Sequence, residues 1–247
     1  MRVDAAKLSL VGNRQENQDS VDIMGQDNCV LAVVVDGMGG HAGGAKASQV
    51  TIEVLQQCFK GAAHPIFDPQ GFLTSALTLA HERVVDIGDG IALENRPRAT
   101  CAACLVQDGY AYWAHVGDSR VYLLRDGRVC ERSRDHSHVE LLLREGLVKE
   151  HEAKDHPMRN YVECCLGGDR PLPDMNIAER KRLLPGDVLL TCTDGLWSGV
   201  DAEEIGKISA NSLPLKAALK QLATAAVARN APHSDNTSVA AVRWDGD

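Results

Sequence analysis

Apolar positions follow two different spacings along this chain, and each spacing predicts a type of secondary structure. Nine segments alternate apolar and polar residues or are continuously apolar and β-branched, which is typical of β-strands. Four segments repeat apolar residues every three or four positions, which predicts amphipathic helices. The predicted strands are Lys7–Val11, Cys29–Asp36, Thr100–Gln107, Tyr110–His115, Arg120–Arg125, Arg128–Cys130, Ile177–Leu183, Asp187–Thr193 and Thr237–Trp244. The predicted helices are Ala45–Phe59, Phe72–Ile87, His138–Glu145 and Leu215–Arg229.

The order of these elements predicts an α+β fold. Short hairpin connections dominate the middle of the chain, so we expect mostly antiparallel sheets with the helices packed against them. No Pro/Ser/Gly-rich tract, charge block or repeat divides the 247 residues, and we therefore expect a single domain spanning 1–247. Residues 132–168, rich in histidine and charge, interrupt the strand order and are interpreted as an insertion near a functional site.

Four aspartates stand beside apolar, strand-like runs: Asp36 in LAVVVDGMGG, Asp118 in HVGDSR, Asp194 in LLTCTDGLW and Asp235 in HSDNTSV. A buried strand delivers its end residue to a fixed point, and several carboxylates delivered together make a site for a hard cation. Arg14, in GNRQENQDS, adds a planar fork that suits phosphate. This combination suggests metal-assisted hydrolysis of a phosphoester.

Asp-Gly is also a common turn dipeptide, and the chain has six of them. Asp108-Gly109 and Asp126-Gly127 separate alternating segments and are interpreted as plain hairpin turns. Asp36 and Asp194 differ, because each ends an apolar run and is followed by an irregular, glycine-bearing segment. That pattern is typical of a loop that opens onto a site.

Composition narrows the possible partners and the location. The net charge of −8 argues against a nucleic-acid surface and against docking on anionic lipid. The N-terminus has no apolar export signal and no run is long enough to cross a membrane, so we expect a cytoplasmic protein. In such a protein the eight cysteines are expected to be reduced, buried thiols. Cys101 and Cys104 would point to opposite faces of a strand and could not share a zinc ion.

Five motifs in order make the chain resemble the metal-dependent serine/threonine protein phosphatases, the type 2C family, in its bacterial form. They are RQENQD at 14–19, VVDGMGGHAGG at 34–44, HVGDSRVYLLRDG at 115–127, CTDGLW at 192–197 and SDNTSV at 234–239. The resemblance implies a central β-sandwich of two sheets flanked by helices on both sides, in α-β-β-α layers. It also implies that 132–168, called the flap segment below, lies beside the active site.

The resemblance implies specific roles in a centre of two Mn²⁺ or Mg²⁺ ions. Asp36 would bridge both ions, the Gly37 carbonyl would bind one, and Asp194 and Asp235 would complete the other. Asp118 would hold a third, weaker ion.

Around these ligands, Asp19 would hold a metal-bound water and Arg14 would bind the substrate phosphate. A hydroxide bridging the two ions would attack phosphorus in line.

The chain departs from relatives at two positions. Gln18 replaces a glutamate that precedes the Asp19 position in many relatives, and Met38 stands where eukaryotic members have a histidine proposed as general acid. His41 is a candidate acid, although a histidine in such a glycine-rich loop more often anchors backbone.

Two other functions remain open from the sequence. The first is a different metal hydrolase, such as a nuclease or pyrophosphatase; the acidic charge and the missing basic groove argue against a nuclease. An inactive phosphoprotein-binding module is opposed by the presence of all four aspartates. For an active phosphatase, the resemblance implies phosphoprotein substrates, including a partner serine/threonine kinase and its targets, among them forkhead-associated-domain proteins.

Overall fold

Two antiparallel β-sheets lie face to face, and helices cover the outer face of each. The computed structural model describes residues 2–39, 42–153, 156–159 and 161–246. One sheet has five strands in the order β1-β12-β11-β6-β7, and the other has the order β10-β5-β4-β3-β2, with β8 pairing with β4 and β9 with β5. The strands are β1 Arg2–Leu10, β2 Asp19–Gln26, β3 Cys29–Met38, β4 Arg98–Gln107, β5 Tyr110–Val116, β6 Arg120–Arg125, β7 Arg128–Arg132, β8 Leu166–Gly167, β9 Asn176–Ile177, β10 Lys181–Arg182, β11 Asp187–Cys192 and β12 Thr237–Gly246.

The helices divide between the two outer faces. Helices α1 and α2 cover the larger sheet, whereas α5, α6 and α7 cover the five-stranded sheet. Asp68 caps α2 by accepting a hydrogen bond from the Gly71 amide at 3.0 Å, and Pro69 begins the helix. The helices are α1 Ala42–Gly61, α2 Pro69–Ile87, α3 His138–Arg144, α4 Glu150–Ala153, α5 Asp194–Trp197, α6 Ala202–Gly206 and α7 Leu215–Asn230.

Three apolar cores correspond to the three interfaces between these layers. One core lies between α1, α2 and the larger sheet, one between the two sheets, and one between the five-stranded sheet and α7. The predicted α+β sandwich in α-β-β-α layers is therefore confirmed. Cys101 and Cys104 on β4 lie in different cores, as expected for side chains on opposite faces of a strand, and all eight cysteines are free thiols.

The strand prediction missed β2 and the two-residue β8, and it joined β9 to β10. Strand β2 was not predicted, although it pairs with β3 along its whole length through a tight turn at Asp27 and Asn28, both with positive φ. Asp and Asn tolerate this conformation, so the turn itself was the signal that the sequence offered. The single strand predicted at Ile177–Leu183 is instead two short edge strands, β9 and β10, because pairing with β5 breaks between them.

The flap segment leaves the sandwich after β7 and returns at β8. It carries α3 and α4 and is closed at its base by an isolated antiparallel bridge between Ser137 and Val162. Among the described residues, no helix combines the length and apolar character needed to span a membrane.

Candidate metal centre

Strand ends bring the aspartates of both sheets to one edge of the sandwich. Asp36 lies near the end of β3, inside the larger sheet. Strands β11 and β12 are antiparallel neighbours, so the chain just after β11, at Asp194, lies beside the chain just before β12, at Asp235. Asp118 occupies the turn from β5 in one sheet to β6 in the other, and Asp19 begins β2 directly opposite Asp36.

These residues meet at a polar cleft of about 410 Å³. Four predicted carboxylates, Arg14 and the flap segment all contribute to its walls. The cleft is lined by Arg14, Gln15, Glu16, Gln18, Asp36, Gly37, Met38, Asp118, Val162, Asp194, Asp235 and Asn236.

Burial and mutual repulsion disfavour the charged forms of the clustered carboxylates. Burial raises the pKa of Asp19 to about 7 and that of Asp194 to about 6, with the charge of Asp235 adding to both shifts. Burial also raises the pKa of Asp36 and of Asp118 well above the usual carboxyl range, and Asp194 raises both further. A cation placed among these groups would therefore relieve repulsion and desolvation together.

Thr193 holds Asp19 in place. Its hydroxyl donates to Asp19 Oδ2 at 2.8 Å and accepts from the Ser238 amide at 3.0 Å, in a fully buried position. Within the described residues, Asp19 Oδ1 and Asp194 Oδ1 are buried oxygens without a hydrogen-bond donor. Buried acceptors of this kind are normally satisfied, so both oxygens point to a missing positive partner.

Arg14 stands at the rim of the cleft and pairs with Asp235. Its Nη2 donates to Asp235 Oδ2 at 2.7 Å, while the Arg14 side chain remains 58% exposed. The predicted phosphate-binding residue thus contacts one of the predicted ligands directly, a contact that the sequence did not indicate. The remaining exposure leaves the guanidinium accessible from the cleft mouth.

Close backbone contacts shape the floor of the cleft. A Cβ on Gly37 would stand 2.0 Å from the Gly44 carbonyl oxygen, so the end of β3 and the first turn of α1 meet at a distance that only glycine permits. The Gly37 amide donates to the Gln18 carbonyl at 3.2 Å, which places Gln18 beside Gly37.

Asn236 is a site residue that sequence reasoning missed. It is buried, and its amide group donates to the Val11 and Glu16 carbonyls while its Oδ1 accepts from the Gln18 amide at 2.8 Å. It therefore fixes the loop that carries Arg14 against the start of β12. The sequence signal that could have identified Asn236 was its position next to Asp235. Met38 lines the cleft, whereas His41 lies outside the described residues.

Known proteins resemble this chain over nearly its whole length. A family model for protein phosphatase 2C matches residues 9–242. A protein phosphatase 2C-type protein of Streptococcus pyogenes is 30% identical over 212 residues, which cover 85% of each chain. The serine/threonine phosphatase PstP of Mycobacterium tuberculosis is 34% identical over 198 residues, which span 78% of this chain and 36% of PstP.

Structural similarity agrees with the sequence matches. The structure of the PstP catalytic domain in complex with two manganese ions superposes with a TM-score of 0.82 and 27% identity, covering 98% of this chain and 97% of that one. The shared fold and the family match over residues 9–242 show that the chain belongs to the metal-dependent serine/threonine protein phosphatases of the 2C family, in their bacterial form.

Proposed function

We propose that this protein hydrolyses phosphoserine and phosphothreonine in phosphoproteins at the aspartate-lined cleft. The observation that carries the proposal is the convergence of Asp36, Asp118, Asp194 and Asp235 on one polar cleft beside Arg14. Carboxylates and a backbone carbonyl are ligands for hard divalent cations, and the guanidinium suits phosphate. We further propose that 1–247 is a single catalytic domain with a flap at 132–168.

The donor set fits Mg²⁺ or Mn²⁺. In the described part of the chain, no three His, Cys, Asp or Glu side chains are gathered tightly enough to hold one ion by themselves. Mg²⁺ commonly takes only one or two carboxylates and keeps several waters, so it does not need three side chains gathered around one ion. Asp36, the Gly37 carbonyl, Asp194 and Asp235 would hold two ions, and Asp118 would hold a weaker third. The unsatisfied Asp194 oxygen supports this assignment.

When bound, two such ions would activate the attacking water and neutralise charge on the phosphoryl oxygens. Arg14 would bind and orient the phosphate from the cleft rim. Asp19, held by Thr193, would orient that water.

Among the described residues that line the cleft, none is a serine, threonine or cysteine. Since the lining aspartates are assigned to the ions, we propose water as the nucleophile. Met38 occupies the position of the eukaryotic general acid and lines the cleft. Its side chain carries no exchangeable proton, so it cannot protonate the leaving group.

The family resemblance supports phosphoprotein partners of a particular kind. We propose that the enzyme opposes a partner serine/threonine kinase and acts on that kinase and its targets, including forkhead-associated-domain proteins. Comparing phosphoproteomes of a deletion strain and its parent would identify such targets. Unaltered phosphorylation of every kinase substrate in the deletion strain would contradict this pairing.

Metal removal tests the proposed chemistry. After exhaustive dialysis against EDTA, hydrolysis of a phosphothreonine peptide should stop, and Mn²⁺ or Mg²⁺ should restore it better than Zn²⁺. Asp36→Asn serves as the matched inactive control. Full turnover of the dialysed enzyme would refute the mechanism, whereas tight peptide binding without turnover under every metal condition would favour an inactive binding module.

A further inference from the structure

Asp118 sits in a turn that is fixed from both sheets. On one side the Ser119 hydroxyl hydrogen-bonds to the Thr100 hydroxyl at 2.7 Å, and both residues are fully buried. On the other side Trp197 Nε1 donates to the Asp118 carbonyl oxygen at 3.0 Å. Since Trp197 ends the short helix that Asp194 begins, this bond joins the Asp118 turn to a second proposed ligand.

Arg120 links Trp197 to the base of the flap segment. Its guanidinium carbon lies 3.6 Å from the centre of the Trp197 ring, close enough for a strong cation–π contact. The same guanidinium donates to both carboxylate oxygens of Asp135, at 2.8 and 2.6 Å. Both side chains are largely buried, at 14% and 6% exposure. Removing either partner would leave the other as an uncompensated buried charge.

The base of the flap segment is bonded directly to the same turn. The His136 amide donates to the Gly117 carbonyl at 2.9 Å, and the Gly117 amide donates to His136 Nδ1 at 3.3 Å. The Glu163 amide in turn donates to the His136 carbonyl at 2.8 Å, next to the bridge between Ser137 and Val162. Val162 lines the cleft, so these bonds connect a cleft wall to the Asp118 turn.

We infer that Arg120, Asp135 and Trp197 are positioning residues that hold Asp118 in the cleft and fasten the base of the flap to it. They do not line the cleft themselves. They act through the Asp118 backbone and the Gly117–His136 bonds, and the charges of Arg120 and Asp135 also act on the Asp118 carboxyl. Where it concerns ion affinity, the inference rests on the proposed function. A displacement of the flap base would then change the affinity of the weak ion site, and occupation of that site would hold the flap base in place.

Three substitutions separate positioning from general stability. Asp135→Asn keeps the size of the side chain but removes the charge that fixes Arg120. Trp197→Phe keeps an aromatic ring beside Arg120 and removes the donor to Asp118 together with the smaller ring of the indole. The matched control is Asp187→Asn, because Asp187 is equally buried and accepts both bonds of Arg125 at 2.7 Å, far along the same sheet.

Hydrogen exchange of the metal-free protein tests the connection without relying on ions. The His136 and Glu163 amides should exchange faster in Asp135→Asn than in wild type. In Asp187→Asn they should exchange at the wild-type rate once the change in global unfolding free energy has been subtracted. Equal exchange in both variants would overturn the connection between the flap base and the Asp118 turn, whatever the enzyme's activity.

Calorimetric titration with Mg²⁺ tests the effect on ion binding. Loss of a residue that orients a ligand typically weakens metal binding about 10- to 100-fold, and we expect this loss for the weak class of ions in Asp135→Asn and Trp197→Phe. The tighter class, and both classes in Asp187→Asn, should stay near wild type. Unaltered weak binding in Trp197→Phe would overturn the positioning role. If Asp118→Ala binds ions as wild type does, the proposed third ion and this part of the inference both fail, while the exchange result still decides the connection.

Discussion

Replacing Arg14 with alanine separates a phosphate clamp from an ordinary surface arginine. In the structure Arg14 pairs with Asp235 at 2.7 Å, with side chains 58% and 38% exposed. An exposed ion pair of this kind contributes about 0.2–1 kcal/mol to stability. Arg14→Ala should therefore lower the free energy of unfolding by less than about 1 kcal/mol, which leaves the fold intact for kinetic measurement.

The catalytic loss should exceed that stability loss. A charge-assisted hydrogen bond to phosphate is worth about 1.5–3 kcal/mol. If Arg14 must first leave Asp235, the cost of that pair is subtracted, and about 0.5–2.8 kcal/mol remains for substrate binding. At 1.36 kcal/mol per tenfold change, kcat/KM for a phosphopeptide should fall roughly 2- to 100-fold.

Steady-state kinetics with a phosphopeptide, together with inhibition by inorganic phosphate, measure this effect. Arg14→Ala should raise KM and weaken phosphate inhibition, and Arg14→Lys should restore only part, because an ammonium lacks the bidentate fork. Arg229→Ala is the matched control, since Arg229 is also half-exposed and paired with a carboxylate, Glu204, but does not line the cleft. If phosphate inhibits wild type and Arg14→Ala equally, the clamp role is wrong.

Further expectations concern the aspartates. Asp36→Asn and Asp194→Asn should each lower kcat by at least about 10²–10³-fold with the fold retained, a loss comparable to removing a main electrostatic stabiliser. Near-normal turnover at saturating Mn²⁺ would show that Asp36 and Asp194 are only turn residues. Asp118→Ala should keep the two tighter ions by calorimetry while losing much of the turnover; loss of all bound metal would contradict the assignment. The pKa values of Asp19, about 7, and Asp194, about 6, lie above the usual 3.8, so the folded state binds more protons than the unfolded state between these values. His115, whose pKa burial lowers to about 4, acts in the opposite direction, but the pKa values of Asp36 and Asp118 are raised as well, so the carboxyl groups outweigh it. In EDTA, calorimetric stability should therefore fall as pH rises from about 4 to 7, and a rise across that window would contradict this balance.

The ends of the buried strands were predictable because they depend on local pattern. The apolar runs before Asp36 and Asp194 are long enough to be recognised as interior strands, and the ordered motifs indicated that their ends meet. Even the opposite faces of Cys101 and Cys104 follow from the two-residue period of a strand.

The contacts that fix the site could not be predicted, because they join residues far apart in sequence. Thr193 reaches Asp19 across 174 positions, and Asn236 reaches the Gln18 amide across 218. Nothing in the local pattern distinguishes a buried threonine or asparagine that orients a ligand from one that ends a turn. The bond between Arg120 and Asp135 spans only 15 positions and was missed for a different reason, since a charged pair near a turn usually lies on the surface.

Charge in the cleft decides how an acidic protein binds a phosphate dianion. When ionised, the four lining aspartates, Glu16 and Asp19 outweigh Arg14 and would repel substrate. Two divalent ions together with Arg14 would offset five of these six carboxylates, and a third ion at Asp118 would make the cleft positive. Phosphate inhibition should therefore strengthen as Mg²⁺ is raised through the range that fills the weak site, and Asp118→Ala should lack this dependence. Phosphate inhibition that is independent of Mg²⁺ in wild type would show that Arg14 and the two tighter ions suffice to bind phosphate without the third ion.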